Sequence, residues 1–114
     1  MSAYHEPFEV LDEHTINISR AINSLKEELE AVDWYNQRVS ATKDEQLKEI
    51  MAHNRDEEIE HACMALEWLR RNMDVWDENL KTYLFTEGSL IEVEENAENT
   101  DTEDKSGMKI GDLK

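Results

Sequence analysis

Glycine and proline are nearly absent from this chain, and that scarcity limits its fold more than any other feature of the sequence. The 114 residues include three glycines and one proline, and the first 87 contain no glycine and only Pro7. Tight β-hairpin turns and phosphate-binding loops depend on glycine at defined positions. The sequence therefore argues against a sheet with tight turns and against a nucleotide-binding fold, and it predicts an all-α protein.

Apolar spacing predicts two long antiparallel helices. From Glu9 to Val39 the apolar residues recur at steps of three, four or seven, which is the pattern of an amphipathic helix. Thr42 followed by Glu45 is typical of a capping box that begins a second helix. That helix is predicted to end near Asn72.

The rest of the chain divides into a short helix, an acidic segment and a tail. Helical spacing continues from Asp74 until Gly88 ends it. Between positions 87 and 104 the chain holds eight acidic residues and no basic one, a composition typical of disorder. The predicted boundaries are a helical domain over residues 1–88, an acidic disordered linker over 89–105 and a separate tail over 106–114.

The charge, the cysteine content and the size of the chain limit its partners, its location and its oligomeric state. The net charge of −16 disfavours nucleic acids and anionic membranes as partners and favours metal cations. The single cysteine, Cys63, cannot form an internal disulfide, and no basic and apolar leader or membrane span is present, so a cytoplasmic protein is expected. A hydrophobic share of 39% in so short a chain leaves little core. An oligomer is therefore expected.

Three polar residues interrupt the apolar stripe of the second helix: Asn54, Glu58 and His61. Burying an isolated carboxylate costs several kcal/mol, so a glutamate in such a stripe normally has a partner or a metal. Glu58 and His61 are three residues apart and lie about one turn apart on the same side of the helix. This is the Glu-x-x-His unit of di-iron sites in four-helix bundles.

Other assignments of these residues are possible. Spacing alone also permits Glu57 to pair with His61, but Glu57 lies about 100° from Glu58 around the helix, at the edge of the apolar stripe. A zincin site would require a second histidine at position 57. Without a metal, Glu58 and His61 would instead join an interhelical hydrogen-bond network.

Counting ligands predicts a dimer. On the first helix, Glu28 lies on the flank of the apolar stripe, on the same side as Tyr35. A complete di-iron site takes a glutamate from each of two helices and a Glu-x-x-His unit from each of two others. One chain supplies half of this set, so two copies related by a two-fold axis would supply Glu28, Glu58 and His61 twice and complete a four-helix bundle.

Four short blocks carry a resemblance to a known family. They are residues 27–35, 52–58, 67–72 and 82–88, which read EELEAVDWY, AHNRDEE, EWLRRN and TYLFTEG. With these blocks the chain resembles the encapsulated ferritins. The resemblance implies a half-length ferritin-like protein whose dimers carry the ferroxidase centre and assemble into a ring-shaped decamer.

The resemblance also implies roles for individual residues. It makes Glu28, Glu58 and His61 the ligands of the di-iron site and places Tyr35 beside it. It further implies a site at which metal enters, formed by Glu27 and Glu30 near Trp34, and an outer site that attracts metal, formed by His53, Glu57 and Glu60. The acidic residues of these last two sites are also candidates for binding Ca²⁺.

The C-terminal residues, which read GMKIGDLK over 107–114, resemble the targeting peptides by which cargo binds inside encapsulin shells. Met108, Ile110 and Leu113 would be apolar anchors on a flexible acidic tether, in a tail that orders only on binding. This resemblance implies an encapsulin shell protein as partner and a location inside an encapsulin nanocompartment of the cytoplasm.

Together the ligands and the resemblance predict a ferroxidase that oxidises Fe(II) with O₂ at an intersubunit di-iron site and delivers iron for storage in the shell. Two alternatives stay open. One is a non-catalytic helical oligomerisation module whose acids bind divalent ions such as Ca²⁺. The other is a rubrerythrin-like di-iron oxidase or peroxidase, which would turn over peroxide and need a reductase partner.

Overall fold

The structure is a computed structural model that describes the backbone of residues 4–107 and the side chains of residues 4–99. Every regular element in that range is helical, as the sequence predicted: a 3₁₀ turn over Phe8–Val10, then α1 over Glu13–Ala41, α2 over Glu45–Asn72, α3 over Asp74–Tyr83 and α4 over Leu90–Gly107. Within these residues no helix combines the length and the apolar character needed to cross a bilayer.

The junction between α1 and α2 differs from the prediction in its cap. The Asp44 side chain accepts a hydrogen bond from the Leu47 backbone amide at 2.9 Å and so begins α2. Thr42 instead ends α1, where its amide donates to the Arg38 carbonyl. The predicted capping box of Thr42 and Glu45 was therefore wrong, because the carboxylate closer to the helix satisfies the free amides of its first turn.

The chain forms two compact units, and the first, Met1–Met73, contains α1 and α2 as an antiparallel hairpin. Arg55 of α2 donates a hydrogen bond to Asn36 of α1 at 3.0 Å. Among the described residues only three apolar side chains are buried, namely Ile16, Ala62 and Leu69. This small core agrees with the expectation that so short a chain has little core of its own.

The second unit, Asp74–Lys114, groups α3 with α4, whereas the sequence pattern had placed α3 in one domain with the first two helices. Extended backbone at Met73 separates α2 from α3. The segment predicted as a disordered linker is helical as far as Gly107. The tail was predicted to begin at residue 106, and its residues 108–114 lie outside the described part of the chain.

Local sequence explains why α4 is a helix. Ser89 Oγ accepts a hydrogen bond from the Glu92 amide at 3.2 Å, which caps the first turn. From residue 90 to residue 98 the segment has no glycine and no proline, and four of its nine residues are glutamate, a good helix former. These local features favour a helix at the beginning of a segment whose acidic composition had indicated disorder.

Candidate metal centre

Glu28 of α1 meets Glu58 and His61 of α2 on one face of the hairpin. One ligand atom from each residue lies within 4.8 Å of the other two. His61 Nδ1 is 3.5 Å from Glu28 Oε2 and 3.7 Å from Glu58 Oε1. These distances exceed those of ordinary hydrogen bonds, so His61 faces both carboxylates across a shared space.

The chemistry of this group suits a metal cation. Glu28 Oε2 is buried and has no hydrogen-bond partner among the described residues, and a buried oxygen without a partner is costly. A cation placed between the three residues would satisfy it. Two carboxylates and one imidazole are donors suited to iron, so the residues present fit the predicted metal.

The two carboxyl groups influence one another. The pKa of Glu58 is raised above its ordinary value, chiefly because its protonated form shares a hydrogen bond with Glu28. Partial desolvation and the negative charge of Glu28 raise this pKa further, whereas the charge of His61 opposes the shift. When both groups are ionised the shared hydrogen bond is absent, and Glu28 Oε2 then has no donor.

Raising the pH should destabilise the metal-free protein over the range in which Glu58 loses its proton. The folded chain holds the proton more tightly than the unfolded chain, so this stabilisation is present below the ordinary pKa of 4.5 and is lost as the pH rises through the raised value. Unfolding temperatures measured along a pH series should therefore fall more steeply for the wild type than for Glu58→Gln. Glu49→Gln, an exposed change on the same helix, serves as the control and should keep the wild-type slope. Equal slopes for the wild type and Glu58→Gln would contradict the account.

The site lies on an open face of the hairpin. The side chains of Glu28 and Glu58 are about one quarter exposed in the single chain, and that of His61 is 45% exposed. Leu47, Ile50 and Trp68 lie on the same side of α2 by the 100° step and are also exposed. A second molecule can therefore reach the three ligands and cover apolar surface at the same time.

The geometry shows which of two neighbouring glutamates, Glu57 or Glu58, lies beside His61. His53 Nε2 lies 3.4 Å from Glu57 Oε1, so Glu57 pairs one turn back along α2 and not with His61. Glu58 is the glutamate that joins His61 and Glu28. The choice made from helical projection therefore agrees with the placement of these side chains.

The remaining predicted site residues are placed around this group but not in it. Tyr35 is seven residues beyond Glu28 on α1, about 10 Å along the axis, and the Arg38 guanidinium lies 5.1 Å from its ring centre. This cation–π contact was missed, although the three-residue spacing of the pair could have indicated it.

The two outer sites are exposed on the hairpin. Glu27, Glu30 and Trp34 lie at the surface of α1, and Glu60 lies at the surface of α2 beyond the His53 and Glu57 pair. Within the described residues, no group of three or more acidic, histidine or cysteine side chains converges other than Glu28, Glu58 and His61. The roles of the outer residues stay predictions.

A family model and two related proteins all indicate the same family for this chain. Residues 3–87 match the family described as EncFtn-like. The encapsulated ferritin-like protein of Rhodospirillum rubrum is 64% identical over 90 residues, which are 79% of this chain and 64% of that protein, so this chain spans less than two thirds of that relative. The ferritin-like protein of Thermotoga maritima is 61% identical over 92 residues, which are 81% of each chain.

A solved protein structure is also similar to this chain. The crystal structure of protein ne0167 from Nitrosomonas europaea matches at a TM-score of 0.76 and 57% identity, covering 78% of this chain and 98% of that one. The family match extends over most of the described residues, including all three side chains of the candidate metal centre. The chain therefore belongs to the EncFtn-like family, the family of the encapsulated ferritins.

Proposed function

We propose that the protein is a ferroxidase in which two copies of the chain hold two Fe(II) ions between them and pass their electrons to O₂. The observation that carries this proposal is the convergence of Glu28, Glu58 and His61, with a carboxylate oxygen left without a partner. Family membership supports it, because the same three residues lie within the matched region.

Two copies would supply the donor set of a di-iron carboxylate site. Each chain offers two carboxylates and one imidazole, so a two-fold axis through the open face doubles these to four carboxylates and two imidazoles. Four carboxylates balance the four positive charges of two Fe(II) ions. The site is thus electrically neutral when the substrate is bound.

Iron is the substrate of the proposed reaction. Each Fe(II) gives up one electron, and the two electrons together with two protons from solvent reduce one O₂ to H₂O₂. Carboxylates bind through one or two oxygens and can adjust as the charge on iron increases, while His61 contributes a nitrogen donor of fixed geometry. The Fe(III) product then leaves for mineralisation.

The histidine favours iron over calcium at this site. Ca²⁺ takes six to eight oxygen ligands, whereas His61 offers only nitrogen. Calcium is therefore a candidate only at the outer residues, where Glu27 and Glu30 would form the site of metal entrance. The exposed residues His53, Glu57 and Glu60 would collect cations at the surface of a chain with a net charge of −16.

A ring-shaped decamer is proposed as the assembled form. Apolar side chains remain exposed on the flank of the hairpin away from His61, where Ile22 and Leu29 of α1 and Ile59 of α2 are 37%, 55% and 43% exposed. A dimer formed across the metal site would leave this flank free for a second kind of contact, and two different contacts can close a ring.

Association with an encapsulin shell is proposed through the tail at residues 106–114. The Rhodospirillum rubrum relative is described as encapsulated, and the tail of this chain carries the apolar residues Met108, Ile110 and Leu113. The proposed location is therefore the interior of an encapsulin nanocompartment in the cytoplasm.

The test of the activity is oxygen uptake by the metal-free protein after Fe(II) is added. We expect uptake well above that of Fe(II) in buffer, with about one O₂ consumed for two Fe(II), and no uptake when Ca²⁺ replaces iron. Uptake no faster than in buffer would contradict the proposal. Consumption of peroxide that requires an added reductase, without rapid oxidation by O₂, would indicate the rubrerythrin-like alternative instead.

A further inference from the structure

Met64 is a large apolar side chain that lies mostly in solvent. It belongs to α2, is 60% exposed and borders an open groove on the helix surface together with Trp68. A side chain with so much exposure contributes little to the core of the chain. Its thioether sulfur is chemically reactive, because oxidation of methionine to the sulfoxide is a common modification of proteins. The exposed sulfur is therefore accessible to a small oxidant.

Met64 is three residues beyond His61, the nitrogen donor of the candidate metal centre. Residues three apart on a helix are neighbours, with about 5 to 6 Å between their Cβ atoms. Long side chains of a helix also lean towards its N-terminus, over the preceding turn, which for Met64 is the turn that carries His61. By the 100° step Met64 is on the side of His61 away from Glu58. Helix geometry therefore places the thioether at the edge of the metal group.

The proposed oxidation of iron produces an oxidant beside this sulfur. Two Fe(II) reduce one O₂ to H₂O₂, and peroxide that leaves the site meets the nearest exposed groups first. When H₂O₂ reacts with the thioether, its O–O bond breaks, one oxygen atom passes to the sulfur and the other leaves as water. The sulfur loses two electrons and the peroxide gains them. The product is methionine sulfoxide, which methionine sulfoxide reductases convert back to methionine.

His61 is the residue that benefits from this reaction. Its side chain is 45% exposed, and its imidazole is the one nitrogen donor among the three residues of the candidate centre. Oxidation of the imidazole would remove that donor, whereas oxidation of Met64 removes none. We propose that Met64 is a sacrificial oxidation site that consumes peroxide at the metal centre and so spares His61. This inference rests on the proposed function, because the oxidant is a product of iron oxidation.

Other oxidisable residues of α2 do not share this position. Cys63 is exposed, but it is two residues from His61, and side chains at that spacing do not face each other. Met73 is 38% exposed at the end of α2, twelve residues beyond His61, or about 18 Å along the helix axis. Met73 is therefore a matched control, an exposed methionine far from the metal group.

Peptide mass spectrometry tests the placement of Met64. Exposure alone predicts about 1.6 times as much sulfoxide at Met64 as at Met73, and H₂O₂ added to the iron-free protein should give a ratio of that order. During oxidation of Fe(II) by O₂, with catalase present to destroy peroxide in solution, the ratio should rise to about tenfold or more, because proximity raises the effective concentration of the oxidant. The same ratio in both experiments would overturn the proposal.

Met64→Leu separates the chemistry of the sulfur from packing, since leucine keeps a similar apolar volume. The variant should oxidise a first addition of Fe(II) at the wild-type rate. Over repeated additions it should lose activity at least about twice as fast as the wild type, because no thioether intercepts the peroxide, and oxygen should appear on His61 in its peptides. Met73→Leu should behave as the wild type does. A Met64→Leu protein that keeps its activity as long as the wild type would overturn the proposal.

Oxygen uptake recorded in the same samples distinguishes failure of this inference from failure of the proposed function. Rapid uptake of oxygen with Met64 left unoxidised would contradict the sacrificial site alone. Uptake no faster than that of Fe(II) in buffer would contradict both the ferroxidase and the sacrificial site.

Discussion

Glu58→Ala is expected to slow Fe(II) oxidation by about 100-fold or more. Loss of a group that merely orients a metal ligand costs about 10 to 100-fold, so loss of a ligand should reach at least the upper end of that range. Glu58 is the carboxylate that links His61 on its own helix to Glu28 on α1. Stopped-flow absorbance of Fe(III) formation measures the rate, and His61→Ala should have an effect of similar size.

Matched variants on α2 make this experiment specific. Glu49→Gln changes an exposed glutamate of the same helix and should oxidise Fe(II) at the wild-type rate, while circular dichroism checks that helicity is retained in every variant. Glu57→Ala removes the glutamate that pairs with His53 and should affect mainly iron uptake at low concentration. Wild-type rates in Glu58→Ala or His61→Ala would show that the proposed site is wrong.

Deletion of residues 106–114 should reduce loading into encapsulin shells by about tenfold or more. The deletion removes Met108, Ile110 and Leu113, and full burial of one such apolar side chain contributes about 1.5 to 3 kcal/mol. Co-expression with a shell protein, followed by purification of the shells and quantitative mass spectrometry, measures the ratio of cargo to shell. Oxidation of Fe(II) by the free protein should be unaffected.

A reciprocal fusion protein supplies the control for the tail. Residues 106–114 fused to an unrelated soluble protein should carry that protein into the shells, because a peptide that orders on binding needs no folded neighbour. The same residues in scrambled order should not. If the truncated chain loads as efficiently as the full chain, the tail has no targeting role.

The helices and the metal group follow closely from sequence because both depend on helical periodicity. Apolar spacing predicted α1 and α2, and the 100° step placed Glu58 and His61 on one side and Glu57 at the edge. The structure adds that Glu28 reaches His61 across the hairpin. Spacing within one helix cannot give that distance, because it depends on how the two helices pack.

Three features of the structure differ from the prediction made from sequence. Thr42 and Asp44 are both favoured at helix beginnings and lie two residues apart, and only the actual path of the turn decides that Asp44 caps α2. Acidic composition indicated disorder after Gly88, whereas the structure has a helix there, which Ser89 caps by accepting a hydrogen bond from the Glu92 amide. The grouping of α3 with α4 is a tertiary contact, which periodicity does not encode.

A crystal structure of the protein exposed to Fe(II) under nitrogen, with iron located by its anomalous scattering, would show whether the metal site lies between two chains. We expect two iron ions between two chains, each bound by glutamate oxygens and a His61 nitrogen, with Glu28 and Glu58 from both copies completing the site. Iron bound by Glu28, Glu58 and His61 of one chain alone, or found only at residues outside this group, would contradict the intersubunit site.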